Sequence, residues 1–435
     1  MNQSKVKLVF SGCQDTFSGY GFRSKDFLKS LIKLKGEEYD IKVLSQRWGN
    51  TPFGSLDPSI PADKAIIDRT IPQLTEQPDI FIMCSVPNEM PQQRVGKYLN
   101  IVLTAGVETS IMPAELIQGA NNADLVIVSS EHAKKVFESS TFEQIDNRTQ
   151  QKVADLKLTK PCEVLFEGAD LSVFDYKGQY NFDLSMVKED FAFLSVGHAL
   201  SGFEQLEDRK NLGILIKTFL ETFKHKRPAP ALILKTSLGG YSITEEEQLL
   251  DKIDVIRKTV GGSTFPNIYI IHGELTDHEM SALYNHPKVK AFALVSNEGY
   301  GRPHLEFGVA SSKPIICGSW SGYTDFLFPD FSVFVGGSLQ PVPKSVQNQF
   351  LIEGSQFFRP DPHQLSIALK DVYENYKNYI DRGKRQGYRC RTEFSLDKMT
   401  EKLDTILKQY TPMISRPVPI SLPKLARPLT VPTAQ

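Results

Sequence analysis

The chain has 435 residues, more than one ordinary hydrophobic core organises, so two domains of roughly 200 residues are expected. Its residues are 40% hydrophobic and 23% charged with a net charge of −1, a globular composition with no global pull toward nucleic acid or membrane, so polyanion binding would need a local patch. The opening MNQSKVKLVFSG has too short an apolar run for a signal peptide and no stretch of about 18 apolar residues occurs, which sets the expectation of a cytoplasmic protein with no bilayer span.

In chain order, short apolar runs predict strands at Lys5–Phe10, Ile41–Ser45, Ile80–Cys84, Ile101–Thr104, Leu125–Val128 and Glu163–Phe166. A second series follows at Ala192–Val196, Ala231–Thr236, Ile268–His272, Ala291–Val295, Pro314–Cys317 and Ser332–Val335. Runs this short, rich in Val, Ile, Leu and Phe and without strict alternation, fit strands buried on both faces of a parallel sheet. Helical period fills the gaps, as in Asn211–Phe223 and Ser366–Tyr379. The expected class is therefore α/β, with two doubly wound, Rossmann-like domains. The polar stretch Lys177–Lys188 marks the seam, giving an N-terminal domain at 1–180 and a C-terminal domain at 181–392. A C-terminal helix at 393–410 is expected to cross back to the N-terminal domain. The tail 411–435 carries six prolines and only basic charges (Arg416, Lys424, Arg427), so extended packing and disorder are both open.

One stretch carries more than packing: SNEGYGRPHLEFGVA, residues 296–310, follows an apolar strand and precedes a helix that Pro303 can open. Glycine-rich turns at the carboxyl end of a parallel strand are where ligands bind in open α/β sheets, and amides at a helix N-terminus attract anions. Glu298 and Glu306 flank that turn, and carboxylates accept hydrogen bonds from paired hydroxyls. A ligand with a diphosphate between two polyols, such as a nucleotide sugar, would use all of these. Solvated surface charges, or a glycosidase pair, are the competing readings. Arg209-Lys210, just ahead of the helix that starts near Asn211, form a second anion site able to stabilise a departing diphosphate; a solvated basic pair is the plain alternative.

Glu298–Glu306, Arg209-Lys210 and FEGADLSVF (166–174) together resemble the retaining glycosyltransferases of the GT-B fold, family four. The likeness is good over about 160–330 and weaker over 1–150, where acceptor-binding domains diverge. It implies that Glu306 holds the nucleoside ribose and that Glu298 orients the donor sugar with the amides of Gly299, Tyr300 and Gly301, with Arg302 in the same donor-binding set. His272-Gly273-Glu274-Leu275 resembles the family's base-contacting turn, although such residues also occur in ordinary loops. Many members have an arginine where this chain has His198, so the phosphate role goes to Arg209 and Lys210 and the part of His198 stays open. The stretches 86–113, 126–137 and 207–226 are similar to glycosyltransferases carried by tailed bacteriophages.

In the N-terminal half, Gly19-Tyr20-Gly21 nearly match a dinucleotide fingerprint, with Ser24 in place of the third glycine and no acid after the second strand. The reading taken from the family is a glycine loop closing over the donor phosphates. Glu108 and Thr109 follow another strand as acceptor-side candidates; Glu108 could orient or deprotonate an acceptor hydroxyl, or cap the next helix. His132 starts a helix and is a further acceptor-side candidate with a structural alternative. Five scattered cysteines (Cys13, Cys84, Cys162, Cys317, Cys390) read as buried thiols of a reducing compartment. No His/Cys/Asp cluster has metal spacing, so metal-independent chemistry is expected, with a nucleotide sugar as co-substrate and no further cofactor. The phage likeness implies hydroxymethylcytosine in double-stranded DNA, or a sugar on it, as acceptor. Arg382, Lys384, Arg385, Arg389 and Arg391, with the tail's basic residues, could supply phosphate contacts, or form a solvated helix face. Transfer to a surface polysaccharide or lipid carrier, and an inactive sugar- or nucleotide-binding module, are the rival readings.

Overall fold

The computed structural model describes residues 5–146, 148–176, 178, 181–204 and 206–411. The N-terminal half contains β1 (Val6–Gly12), β2 (Tyr39–Ser45), β3 (Thr70–Ile71), β4 (Ile80–Cys84), β5 (Leu99–Leu103), β6 (Leu125–Val128), β7 (Thr141–Ile145), β8 (Lys152–Lys157) and β9 (Cys162–Val164). The second half contains β10 (Ala192–Val196), β11 (Ala231–Lys235), β12 (Ile268–Ile271), β13 (Val289–Ala293), β14 (Ile315–Gly318), β15 (Val333–Val335), β16 (Gly337–Pro341) and β17 (Gln356–Pro360). Every residue of β4, β5 and β6 is buried, which is why β4 and β6 read as unbroken apolar runs; β5 is interrupted by the buried Asn100, whose side chain bonds the Gly96 backbone.

Two parallel sheets result. The first runs β3-β2-β1-β4-β5-β6-β9 and the second β12-β11-β10-β13-β14-β15. Strand order reverses beside β1 in the first and beside β10 in the second, leaving a crevice at the carboxyl end of each sheet. Both doubly wound domains expected from the sequence are present. Three pairings were not anticipated: the short edge strand β3 and the antiparallel hairpins β7–β8 and β16–β17.

The chain does not simply finish in its second domain. Helix Leu396–Tyr410 packs against helix Gly19–Lys35, and Met399, Leu403, Ile406 and Leu407 enter the same core as Phe10, Phe27 and Leu103. Each such side chain contributes about 1.5–3 kcal/mol on full burial. Thr400 Oγ1 meets Ser30 Oγ at 2.8 Å, and Tyr410 donates to Glu163 Oε1 at 2.8 Å. All five cysteines are free and buried. Arg416, Lys424 and Arg427, with the rest of 412–435, lie outside the described residues.

Candidate active site

The crevice beside β10 is built by a loop locked to its neighbours. Asp208 caps the following helix, accepting from the Lys210 amide at 2.8 Å and the Leu212 amide at 2.7 Å. Asn211 takes a left-handed φ of 54° and donates through Nδ2 to Val295 O at 2.6 Å. Arg359 donates to Asn211 Oδ1 at 2.6 Å and to Asp208 O at 2.7 Å. The Asn297 amide donates to Arg209 O at 2.9 Å, and Arg209 Nη1 returns a bond to Asn297 O at 3.1 Å. Arg209-Lys210 and Asn297-Glu298 are thereby stitched together although 88 positions separate them.

The charged side chains converge on that scaffold. Lys210 Nζ donates to Glu298 Oε1, and Arg209 Nη1 lies 3.7 Å from Glu298 Oε2 and 3.3 Å from Glu108 Oε1. Burial alone would raise the pKa of Glu298; Lys210 and then Arg209 overcome it and hold the group at about 2, so it is a carboxylate at neutral pH. Burial also pushes Lys210 down, with Glu298 opposing the shift, and the nearby carboxylates raise Arg209 against its own burial. Arg209, Lys210, Glu298 and Glu108 therefore form one group facing the interdomain space.

The glycine turn meets the other domain. A Cβ at Gly299 would overlap the Ala105 carbonyl oxygen, and the Gly299 carbonyl accepts from Ser130 Oγ at 2.6 Å and Ser129 Oγ at 3.3 Å. Glycine is needed here for close approach of the two domains. Tyr300 is buried with its ring 5.0 Å from that of Phe326, and Gly301 caps helix Arg302–Ser311 with a φ of 101°.

Glu306 occupies a different charged cluster, most of which sequence reasoning missed. Arg302 donates through Nε to Glu306 Oε1 at 2.6 Å and through Nη1 to Asp26 Oδ2, across the domain boundary, at 2.6 Å. The same Nη1 lies 3.9 Å from Glu167, which in turn lies 3.8 Å from Arg23. Burial pushes Glu306 up to about 7; Arg302 opposes the shift and Asp277 adds to it. Tyr284 donates to Glu306 Oε2 at 3.4 Å. Glu167 belongs to the 166–174 run singled out above, but Arg23 and Asp26 lie on a helix with nothing local to mark them as partners of Arg302.

Two large clefts adjoin these groups. One, of about 1000 Å³, is lined by Phe22, Leu275 and Asp277; the other, of about 970 Å³, by Tyr20, Glu108, Thr109, His198 and Arg209. Tyr20 is the second residue of helix Gly19–Lys35; its Oη pairs with Thr104 Oγ1 at 2.7 Å and accepts from the Ala105 and Gly106 amides at 3.2 Å each. Gly19 has open space around it, whereas a Cβ at Gly21 would strike the Thr16 backbone. His198 Nδ1 lies 2.7 Å from Ser237 Oγ, and its pKa is pushed down to about 4 by the surrounding protein and by Lys210, Lys235 and Arg209, so it is a neutral ring. His272 is held away from the charged group, with Nε2 at 3.2 Å from Ser242 O, while Gly273 takes a φ of 128° and Leu275 turns toward the first cleft. Thr109 is buried and donates to Ile111 O at 2.9 Å. His132 packs edge-on to Trp320 at 4.4 Å and burial lowers its pKa to about 4. Among the described residues no group of three or more His, Cys, Asp and Glu is placed to hold a metal ion, and no helix is long and apolar enough to cross a membrane.

The basic cluster near the end of the C-terminal domain is largely consumed inside the fold. Arg382 caps the carbonyls of Pro329, Asp330 and Ser332, Arg391 bonds Val309 O and Ser312 Oγ, and Arg389 pairs with Glu393 at 2.9 Å. Lys384 and Arg385 remain exposed.

No protein-family model matches the chain and no curated protein matches it. Solved structures do. Sucrose-phosphate synthase from Thermosynechococcus elongatus is 13% identical with a TM-score of 0.60, over 94% of this chain and 100% of the other. An alpha,alpha-trehalose-phosphate synthase (UDP-forming) from Burkholderia vietnamiensis is 10% identical, with a TM-score of 0.58 over 93% and 99%. HepE from Anabaena, solved with UDP and glucose, is 12% identical, with a TM-score of 0.54 over 93% and 100%. At such identities the likeness is one of fold, and it extends over nearly the whole chain: two Rossmann-like domains facing across a cleft, the GT-B architecture.

Proposed function

We propose that the chain is a glycosyltransferase that moves a sugar from a nucleotide-sugar donor to an acceptor hydroxyl with retention of configuration. The observation that carries this reading is the meeting of Arg209, Lys210 and Glu298 at the reversal point beside β10, two fixed cations and one fixed anion facing the interdomain space. In the proposed division of labour, domain 181–392 takes the donor and domain 1–180 the acceptor. Arg209 and Lys210 take the diphosphate, Glu298 accepts from donor-sugar hydroxyls, Glu306 accepts from the ribose, and the turn at 272–275 lies toward the base.

The acceptor oxygen forms a bond to the anomeric carbon on the face the diphosphate leaves. The old carbon–oxygen bond breaks with its electron pair on the phosphate, which also receives the hydroxyl proton. Arg209 and Lys210 lower the barrier by stabilising the charge that grows on the leaving group, and the domains hold the reactants in register. Retention and a host-cytoplasm setting rest on the family resemblance.

The acceptor implied by the phage likeness is hydroxymethylcytosine in DNA, or a sugar already on it. A second reading, a free saccharide, is favoured by the wall of the second cleft, described below. Incubating the protein with nucleotide sugars and measuring donor binding tests the proposal. Glu306→Ala is expected to weaken donor binding about 10- to 100-fold, the loss of one or two hydrogen bonds to a charged group. Unchanged affinity would remove Glu306 from the site.

A further inference from the structure

The second cleft has a wall built from hairpin β16–β17. The loop between those strands brings Ser345–Leu351 against the N-terminal domain. Two bonds tie it there: the Ser110 amide donates to Gln356 O at 3.2 Å, and the Gln356 amide donates to Ser110 Oγ at 3.1 Å. From the N-terminal side, Trp48 enters the lining with its ring stacked on Tyr20 at 4.3 Å. Three hydrogen bonds fix the Tyr20 hydroxyl, so Trp48 rests on an anchored base. On the hairpin side Phe350 is 38% exposed.

The charge of this cleft is unusual for a site that would grip a phosphate polymer. Four acidic residues (Glu89, Glu108, Glu207, Asp208) line it against two guanidinium groups, Arg47 and Arg209, but the Asp208 carboxylate is buried on the Lys210 and Leu212 amides and Glu108 is paired with Arg209. Arg209 is already engaged by Glu108 and Glu298. His198, which also faces the cleft, adds no charge at neutral pH. A polyanion brought here would meet Glu89 and Glu207, which accept from the Ser85 and Ser345 hydroxyls and, among the described residues, have no ion-pair partner.

A pyranose ring has the complementary make-up. Its C–H face packs on an aromatic surface, whose electron-rich face attracts it, and its hydroxyls donate to carboxylates. The volume of about 970 Å³ lies at the upper end of small-molecule sites, enough for more than one sugar ring.

We infer that this cleft is the acceptor subsite and that its occupant is an uncharged saccharide stacked on Trp48; the inference rests on the transferase reading above. The test offers the full chain a nucleotide-sugar panel (UDP-glucose, UDP-galactose, GDP-mannose). The acceptors are glucose, maltose and sucrose, with glucose 6-phosphate and hydroxymethylcytosine duplex DNA, bare or glucosylated, as charged rivals. Transfer to a neutral saccharide in preference to its phosphorylated counterpart is expected. Trp48→Ala should raise the saccharide KM about tenfold with kcat changed much less, and Trp48→Phe should recover most of the loss. Phe350→Ala, on an exposed loop, provides a second variant with the same expected direction. Transfer to DNA alone, or a saccharide KM unmoved in both alanine variants, overturns the inference and leaves the transferase reading standing. Failure to bind or turn over any nucleotide sugar overturns both.

Discussion

Replacing Arg302 with methionine removes the guanidinium that bonds Glu306 and Asp26 at 2.6 Å each and lies 3.9 Å from Glu167. Three largely buried carboxylates then remain, and among the described residues the one cation left within ion-pair distance is Arg23, 3.8 Å from Glu167. Removing one partner of a buried ion pair costs about 3–5 kcal/mol, and that is the expected loss of unfolding free energy at pH 8. The loss should shrink at pH 5. Glu306 has a folded pKa of about 7, raised from 4.5 chiefly by burial. Its protonated form therefore favours the native state below pH 4.5, and this contribution of about 3 kcal/mol disappears as pH rises through 7. Without Arg302 the pKa climbs further, so the charged form is penalised more at pH 8, whereas at pH 5 the group is neutral in both proteins. Urea unfolding followed by tryptophan fluorescence at the two pH values measures the difference. A variant as stable as the parent at pH 8, or one penalised more at pH 5, would refute the reasoning.

Other perturbations test separate parts of the structure. Lys210→Met should lower kcat about 10²- to 10³-fold, the scale seen when one fixed charge-stabilising donor is lost, and should move the Glu298 pKa upward from about 2, as read by carboxyl-carbon NMR. Gly299→Ala forces a methyl group into the Ala105 carbonyl and should cost about 1–3 kcal/mol; small-angle scattering should report a more open arrangement of the two domains. Leu403→Ala should destabilise by about 2–5 kcal/mol and deprotect the amides of helix Gly19–Lys35 in hydrogen exchange, although residue 403 is remote from that helix in sequence.

What the sequence made legible follows the range of the interactions. β4 and β6 were read to the residue because a strand buried on both faces leaves a contiguous apolar word. β7, β8 and β16 are mostly exposed, so no periodic pattern was imposed on them, and β16 pairs with β17 only after a 14-residue excursion, 342–355. Glu298 and Arg209-Lys210 could be found because each sits beside its own turn and helix start. The Asp26–Arg302 pair spans 276 positions, and no local signal names either as the other's partner. Gly299 was read as part of a ligand-binding turn, and what its backbone meets in the structure is the loop at Ala105, a contact with no local signal in the sequence.

The return of helix Leu396–Tyr410 to the first domain bears on how the protein is made. A ribosome adding roughly 5–20 residues per second delivers the first sheet long before the segment that seals it. Until that segment emerges, Phe10, Phe27 and Leu103 have an incomplete cover. Synthesis of the second domain thus passes with the first one unfinished, and an arrest anywhere before residue 396 yields a nascent chain whose exposed apolar face is a ready chaperone substrate.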